Sequence, residues 1–543
     1  MSKKNSVTGV VIVLVLLIAL QSNVFALSEG YILTSAYGSP KTVLLDTAGE
    51  IAFEWDHDAL PNRLSGYSAY LLKNGNLLRT AMVDEGDVIS EMAPRQGIIE
   101  EIDSLGKVVW RYELANDTFM VHHDIKPMPN GHILAVSFLV QLKKDLIATG
   151  VDTILLQGMA NPVFMLSEKI IEIDPTAAKG EEIVWEWRMP DHVVKGEEAA
   201  AHPELISGTI TNALWTGYKQ WVHLNGLDYN EKLDMILFSS RMFSELYIID
   251  HSTTTEEAAG HTGGTHGKGG DILYRWGKPS NYKANGGYTI NVLHCPNWIP
   301  NGYPGAGNVI FFHNNVGGGM GGGMGGGSQS EVIEIALPMN EDGNFSRNEG
   351  QPFGPEKPEW IFVPPSGSGF SSQQMSSAFR MPNGNTIAHL AYPAGGFNSG
   401  SVITEINKDG QVVWTDTLEL KGEAVEENST MTYNPAKIMY YDENYPGIQA
   451  LLFGKTDVNE KSSAAAKKTF LPEPGIRKSA EGIAFTNVAG GEVTLYSLHG
   501  KKIFSHKAAG DRYFYSTRSL SAGTYIAQVT VRGVRNKVIN VTP

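Results

Sequence analysis

Three histidines share one place in a repeating sequence. Pro129, Pro300 and Pro382 each open a Pro-Asn-Gly turn, and six residues upstream of them lie His123, His294 and Ser376. The same offset from Tyr229 gives His223, and from Lys73 it gives Tyr67. A position that varies from repeat to repeat yet stays polar is suited to a site rather than to a turn brace. Imidazoles can attack an electrophile or move protons near neutral pH. Arg241, closing the segment MILFSSR, adds a planar donor fork that fits an oxyanion of sulfate, phosphate or carboxylate type. Three histidines could also hold zinc with an open fourth position. Arg241 would repel that ion, no carboxylate occupies a ring position, and strand alternation turns Asp124 and Cys295 to the opposite face. The expectation is therefore no metal at these histidines, and Cys295 as a buried, inert thiol. The adjacent His122 remains an alternative to His123. The stretch GGTHGKGG around Lys268 imitates a phosphate loop but lacks its first Gly and its final Ser or Thr, so a solvated loop is expected.

The elements that must hold these residues are strands. One recurring phrase joins a turn to a β-branched pair and a tryptophan, ending at or around Trp55, Trp110, Trp187, Trp276, Trp360 and Trp414. A second phrase, an Asn-Gly turn followed by an apolar strand, alternates with it. Six such units imply an all-β, six-bladed β-propeller, whose blades bring equivalent positions together at the axis. Tyr67, His123, His223, His294 and Ser376 would then form a polar ring. A pair of β-sandwiches would leave the alternation of the two phrases unexplained.

Around this body the expected domains are a signal peptide over 1–26, the propeller over 27–455, a linker over 456–482 and a small C-terminal β-sandwich over 483–543. Lys3, Lys4, the apolar run Val10–Leu20 and the exit Val24-Phe25-Ala26 imply export, because the run is short for a membrane span. The run after Val316 (GGGMGGGMGGG) reads as a flexible loop. A formal net charge of −15 argues against a nucleic-acid partner, and the single Cys295 excludes an intrachain disulfide.

The phrases HHDIKPMPNGHIL, WVHLNGLDYNEKLDMILFSSR, LHCPNWIPNG with NVIFFHNN, and SSAFRMPNGNTIAHL resemble the bacterial aryl-sulfate sulfotransferase family. The resemblance runs from about Thr34 to Gly454 and implies sulfuryl transfer between phenols without a nucleotide donor or other cofactor. It implies His294 as the nucleophile, passing through a sulfohistidine, with His123, His223 and Arg241 in support. Asn225, Tyr67 and Ser376 are the expected substrate contacts, and the substrates are small phenols. GEVTLYSLHGKKIF, LSAGTYIAQVTV and KVINVTP resemble a type IX secretion sorting domain, which implies secretion machinery as a partner and a cell-surface or extracellular destination. The rival functions are a secreted propeller binding module and a metal-dependent propeller hydrolase or lyase using the same histidines. The histidine trio with Arg241 favours an enzyme over a binding module, in which aromatic platforms would be expected.

Overall fold

The structure is a computed structural model. It describes residues 27–83, 96–149, 164–194, 206–207, 220–284, 287–316, 329–340, 342–348, 350–365, 367–393, 400–422 and 433–454. Beyond these it describes the strands 475–478, 482–486, 492–497, 502–507, 512–516, 525–531 and 534–541. The expected signal peptide, the Gly-Met loop over 317–328 and the linker up to residue 474 lie outside the described residues.

Short β-branched segments punctuated by Asx turns assemble into six four-stranded antiparallel sheets. The first blade runs outward through Ser65–Leu71, Leu77–Met82, Gly97–Ile102 and Val108–Glu113. The second, third, fourth and fifth blades begin with the inner strands Phe119–Pro127, Leu224–Asn230, Leu293–Trp298 and Ser377–Arg380. In the sixth blade the late strand Pro435–Tyr441 is innermost and pairs with the early strand Tyr31–Ala36, which closes the circle. Each inner strand packs against the next, including the sixth against the first.

Both repeated phrases have a structural job. In the Asn-Gly turns, Asn74, Asn130 and Asn383 accept the backbone N–H two residues on, and the following glycines take positive φ. Asp46, Asp103 and Asn407 do the same in the turns that lead to the outer strands. All six tryptophans sit on those outer strands. Four of their indoles donate to a backbone carbonyl of the next blade: Trp55 to Asp103, Trp187 to Gly270, Trp276 to Pro355 and Trp360 to Lys408. The core lies between blades, as where Val136, Ile170 and Trp187 of the second meet Phe238, Tyr247 and Ile249 of the third. Each such side chain contributes about 1.5–3 kcal/mol when fully buried.

The chain divides into two compact units, 1–458 and 459–543. The second holds a three-stranded and a four-stranded antiparallel sheet.

Candidate active site at the propeller axis

The inner strands are interrupted where the ring residues sit. Pairing in the second blade breaks between Val121 and Ile125, in the third between Leu224 and Gly226, and in the fourth between His294 and Asn297. The first blade breaks between Ser65 and Ala69. In these bulges at His123 and Cys295, and just ahead of the inner strands at His223 and Ser376, the backbone enters the left-handed region, with φ of 49°, 52°, 56° and 86°. Side chains other than glycine take that conformation at a cost of about 1–3 kcal/mol, and such strain gathers at functional sites.

The bulges correct the alternation argument. Asp124 and Cys295 do not turn away; both line the same axial cavity as Tyr67, His123, Asn225, His294, Met375, Ser376 and Lys437. An extra residue in the strand changes which face the next side chain takes. Asp124 is nevertheless saturated: it accepts from the Ser68 hydroxyl (3.0 Å), the Tyr70 hydroxyl (3.2 Å), the Leu227 N–H (3.1 Å) and the Lys437 ammonium. Burial pushes the Cys295 thiol up to about 12, so it stays protonated at neutral pH.

His294 is buried at the cavity wall and oriented on both sides. The Asn314 amide donates to the carbonyls of Ser372 (2.8 Å) and Met375 (2.9 Å), which fixes its oxygen toward His294. Nδ1–H of His294 therefore donates to Asn314 Oδ1 at 2.7 Å, and Nε2 carries the lone pair, accepting from the Met375 N–H at 3.1 Å. Burial, with help from the nearby Arg241 charge, lowers its pKa to about 3 against the Asn314 hydrogen bond. The imidazole is neutral and nucleophilic at physiological pH.

His123 and His223 belong to a hydrogen-bonded file that sequence reasoning missed. Glu168 is fully buried on the second blade, and burial raises its carboxyl well above the usual range, against the Leu224 and His223 N–H groups, which favours its protonated form. One proton assignment satisfies every link. Glu168 donates to His122 Nε2 (2.7 Å), and His122 Nδ1–H to His123 Nδ1 (2.7 Å). His123 Nε2–H then donates to His223 Nε2 (3.1 Å), and His223 Nδ1–H to Gln220 Oε1. Burial first, then the neighbouring positive centres, holds His123 and His223 well below the ordinary imidazole value. Between the two candidates, His123 lines the cavity, while His122 stacks on Phe138 at 3.6 Å behind it. Nothing in the repeat announces Glu168, one of two glutamates in the strand Phe164–Ile173, which also carries Ser167 and Lys169; Asn314 lies in the segment NVIFFHNN, but its type alone assigns it no role.

Arg241 follows the strand Met235–Ser240, and its N–H donates to the His223 carbonyl at 3.0 Å. Its charge acts on His123, His223, His294 and Tyr67 together. Tyr67 meets His123 edge to face at 5.3 Å and Tyr37 at 4.7 Å, giving the cavity an aromatic wall. Asn225 and Ser376 are engaged elsewhere as well. Asn225 bonds Leu293 O (2.7 Å) and the Ser239 hydroxyl (2.7 Å), while the Ser376 hydroxyl joins Ser372 (2.9 Å) and Ala391 N–H (3.1 Å). Both line the cavity.

Fold and site together define a six-bladed propeller protein with a neutral histidine, a histidine file and an arginine converging at its axis. The chain belongs to the arylsulfotransferase (ASST) family, whose model matches residues 19–325, more than half of its length. It is a sulfotransferase. Solved structures similar to it include a putative 6-phosphogluconolactonase from Bacteroides fragilis, at 10% identity over 76% of this chain and 98% of that one, with a TM-score of 0.34. A protein from Lactobacillus plantarum matches at 10% identity over 76% and 100% of the two chains, also with a TM-score of 0.34. No curated protein matches the chain significantly.

Proposed function

We propose that the protein moves a sulfuryl group from a phenolic sulfate ester to a phenolic acceptor through a sulfohistidine at His294, without a nucleotide donor. The observation that carries this reading is the fixed tautomer of His294, which leaves a neutral Nε2 lone pair on the wall of the axial cavity. Nε2 attacks sulfur, the bond from sulfur to the phenolic oxygen breaks, and the phenolate leaves with that electron pair. Asn314 keeps Nδ1–H in place and accepts more strongly as the ring becomes cationic. The Met375 N–H, released from Nε2, can turn to a sulfuryl oxygen, and Arg241 stabilises the charge there.

The departing phenolate, whose conjugate acid has a pKa of about 10, takes the Nε2 proton of His123. His123 is reprotonated at Nδ1 through His122, and Glu168 supplies that proton. The acceptor phenol then gives its proton back along the same file, attacks sulfur and breaks the sulfur–nitrogen bond. Tyr67 supports an aromatic substrate by ring contact.

Incubation with 4-nitrophenyl sulfate alone, followed by peptide mass spectrometry, tests this reading. It should show one sulfuryl adduct on His294, absent in His294→Asn, and steady-state kinetics with donor and acceptor varied should give parallel lines. Intersecting lines, or an active His294→Asn variant, would sink the assignment.

For the second unit, the reading is a β-sandwich that serves as a type IX sorting domain after export through the N-terminal signal. Its support is the pair of small sheets and the motifs ending in KVINVTP. Fusing 459–543 to an exported reporter in a bacterium with that system should bring the reporter to the cell surface or medium.

A further inference from the structure

The glycine-rich loop that imitates a phosphate site ends in a different constellation. His192 lies in the turn Met189–His192 after the outer strand of the second blade, and His261 and Asp271 flank the loop of the third. One ligand atom from each of the three residues lies within 4.8 Å of the other two. Nδ1 of His192 is 3.0 Å and Nδ1 of His261 is 2.8 Å from the same oxygen, Asp271 Oδ1.

The hydrogen-bond chemistry of His192 calls for a cation here. Its Nε2 stands 2.8 Å from the Ala258 carbonyl, which can only accept, so Nε2 bears the hydrogen. In the neutral ring Nδ1 is then a lone pair, and it faces a carboxylate oxygen that is also a lone-pair donor. A proton or a metal ion must sit between them. An N–H to a backbone carbonyl on the far nitrogen is the support that orients metal-binding imidazoles. His192 is fully buried and stacks flat on Trp187 at 5.3 Å, while His261 is largely exposed and leaves a coordination position toward water.

We propose that His192, His261 and Asp271 bind one Zn²⁺, with water as the fourth ligand, as a clip between the outer edges of the second and third blades. Two imidazole nitrogens and one carboxylate suit zinc, whereas calcium and magnesium favour oxygen ligands. The clip has a physical use. Six glycines (Gly260, Gly263, Gly264, Gly267, Gly269 and Gly270) make the loop entropically costly to order. Gly270 must be glycine, because a Cβ there would stand 2.0 Å from the Ala258 carbonyl oxygen. A metal joining both ends of the loop to the neighbouring blade offsets that entropy, and its role is structural, separate from the sulfuryl transfer proposed at the axis.

The test uses untagged full-length chain stripped with a chelator, then titrated with Zn²⁺ by calorimetry and native mass spectrometry. One zinc per chain and a raised melting temperature are expected. His261→Ala and Asp271→Asn should each weaken binding at least about tenfold. Neither replaces the buried His192, whose loss could disturb packing on its own account. His294→Asn should bind zinc as the unaltered chain does. Absence of stoichiometric zinc, or unchanged affinity in both loop variants, overturns the proposal. Zinc lost in His294→Asn but kept in His261→Ala also overturns it and moves the metal to the axis.

Discussion

His294 has its pKa lowered to about 3, below the ordinary imidazole value of 6.5, chiefly by burial. A lowered value in the free protein means that protonation, and loss of the nucleophile, begins only well below 6.5 as the pH falls. The acid limb of kcat/KM reports the free enzyme, so the profile should cross pH 6.5 without an inflection from this group. A drop centred near 6.5 would mean that His294 is solvated and not held as described. Glu168 offers a sharper test at the same scale. Glu168→Gln keeps a donor toward His122 and an acceptor for the Leu224 N–H, but it has no proton to give. Transfer from phenyl sulfate, a poor leaving group, should slow on the order of a hundredfold, while 4-nitrophenyl sulfate should change little because its phenolate departs unaided. An equal loss with both donors would make Glu168 a brace only.

Strands and turns set the precision of that chemistry. The bulges put consecutive residues on one wall of the cavity, which a regular strand cannot do. At the other edge of each blade the tryptophans fasten one sheet to the next, so the inner strands inherit a fixed angle. Trp187 is fully buried, and its indole donates to the Gly270 carbonyl at 2.7 Å. Trp187→Phe keeps most of the ring but leaves that carbonyl without its donor, costing about 1–3 kcal/mol in urea denaturation. Trp187→Ala also opens a cavity and should cost about 3–5 kcal/mol. If Trp187→Phe is as stable as the parent, the indole hydrogen bond does not hold the blades. The repeated phrases were legible because turn-forming Asn and Asp act within a few residues and each tryptophan recurs at one place on its outer strand, although the carbonyl its indole reaches lies on the next blade.

Closure is a property of the whole molecule. The inner strand of the sixth blade comes from Pro435–Tyr441 and its other three strands from the beginning of the described chain. Ending the chain at Val458 keeps every strand of the ring, and such a protein should retain a cooperative transition and full transfer activity. Ending it at Tyr433 removes Ala436 and Lys437 from the cavity wall and leaves Tyr31–Ala36 as an unpaired edge. That form should lose activity and aggregate, as read by light scattering and circular dichroism. Activity in the shorter chain would mean that the ring closes differently.

The sequence by itself determined the blade number, the turn chemistry and the offset that selects Tyr67, His123, His223, His294 and Ser376. These follow from period, hydrogen-bonding turns and one position counted from each turn, all of which are local. Tertiary structure alone decided that Asp124 and Cys295 share the cavity, because a bulge is a departure from the alternation on which sequence counting relies. It also decided that Glu168 stands behind His122, that Asn314 fixes the tautomer of His294, and that His192 meets His261 and Asp271. Each of those contacts joins residues separated by 20 to 79 positions. Glu168 meets His122 and Asn314 meets His294 across the strands of one blade, whereas His192 meets His261 and Asp271 where two blades pack, and no single segment encodes either kind of contact.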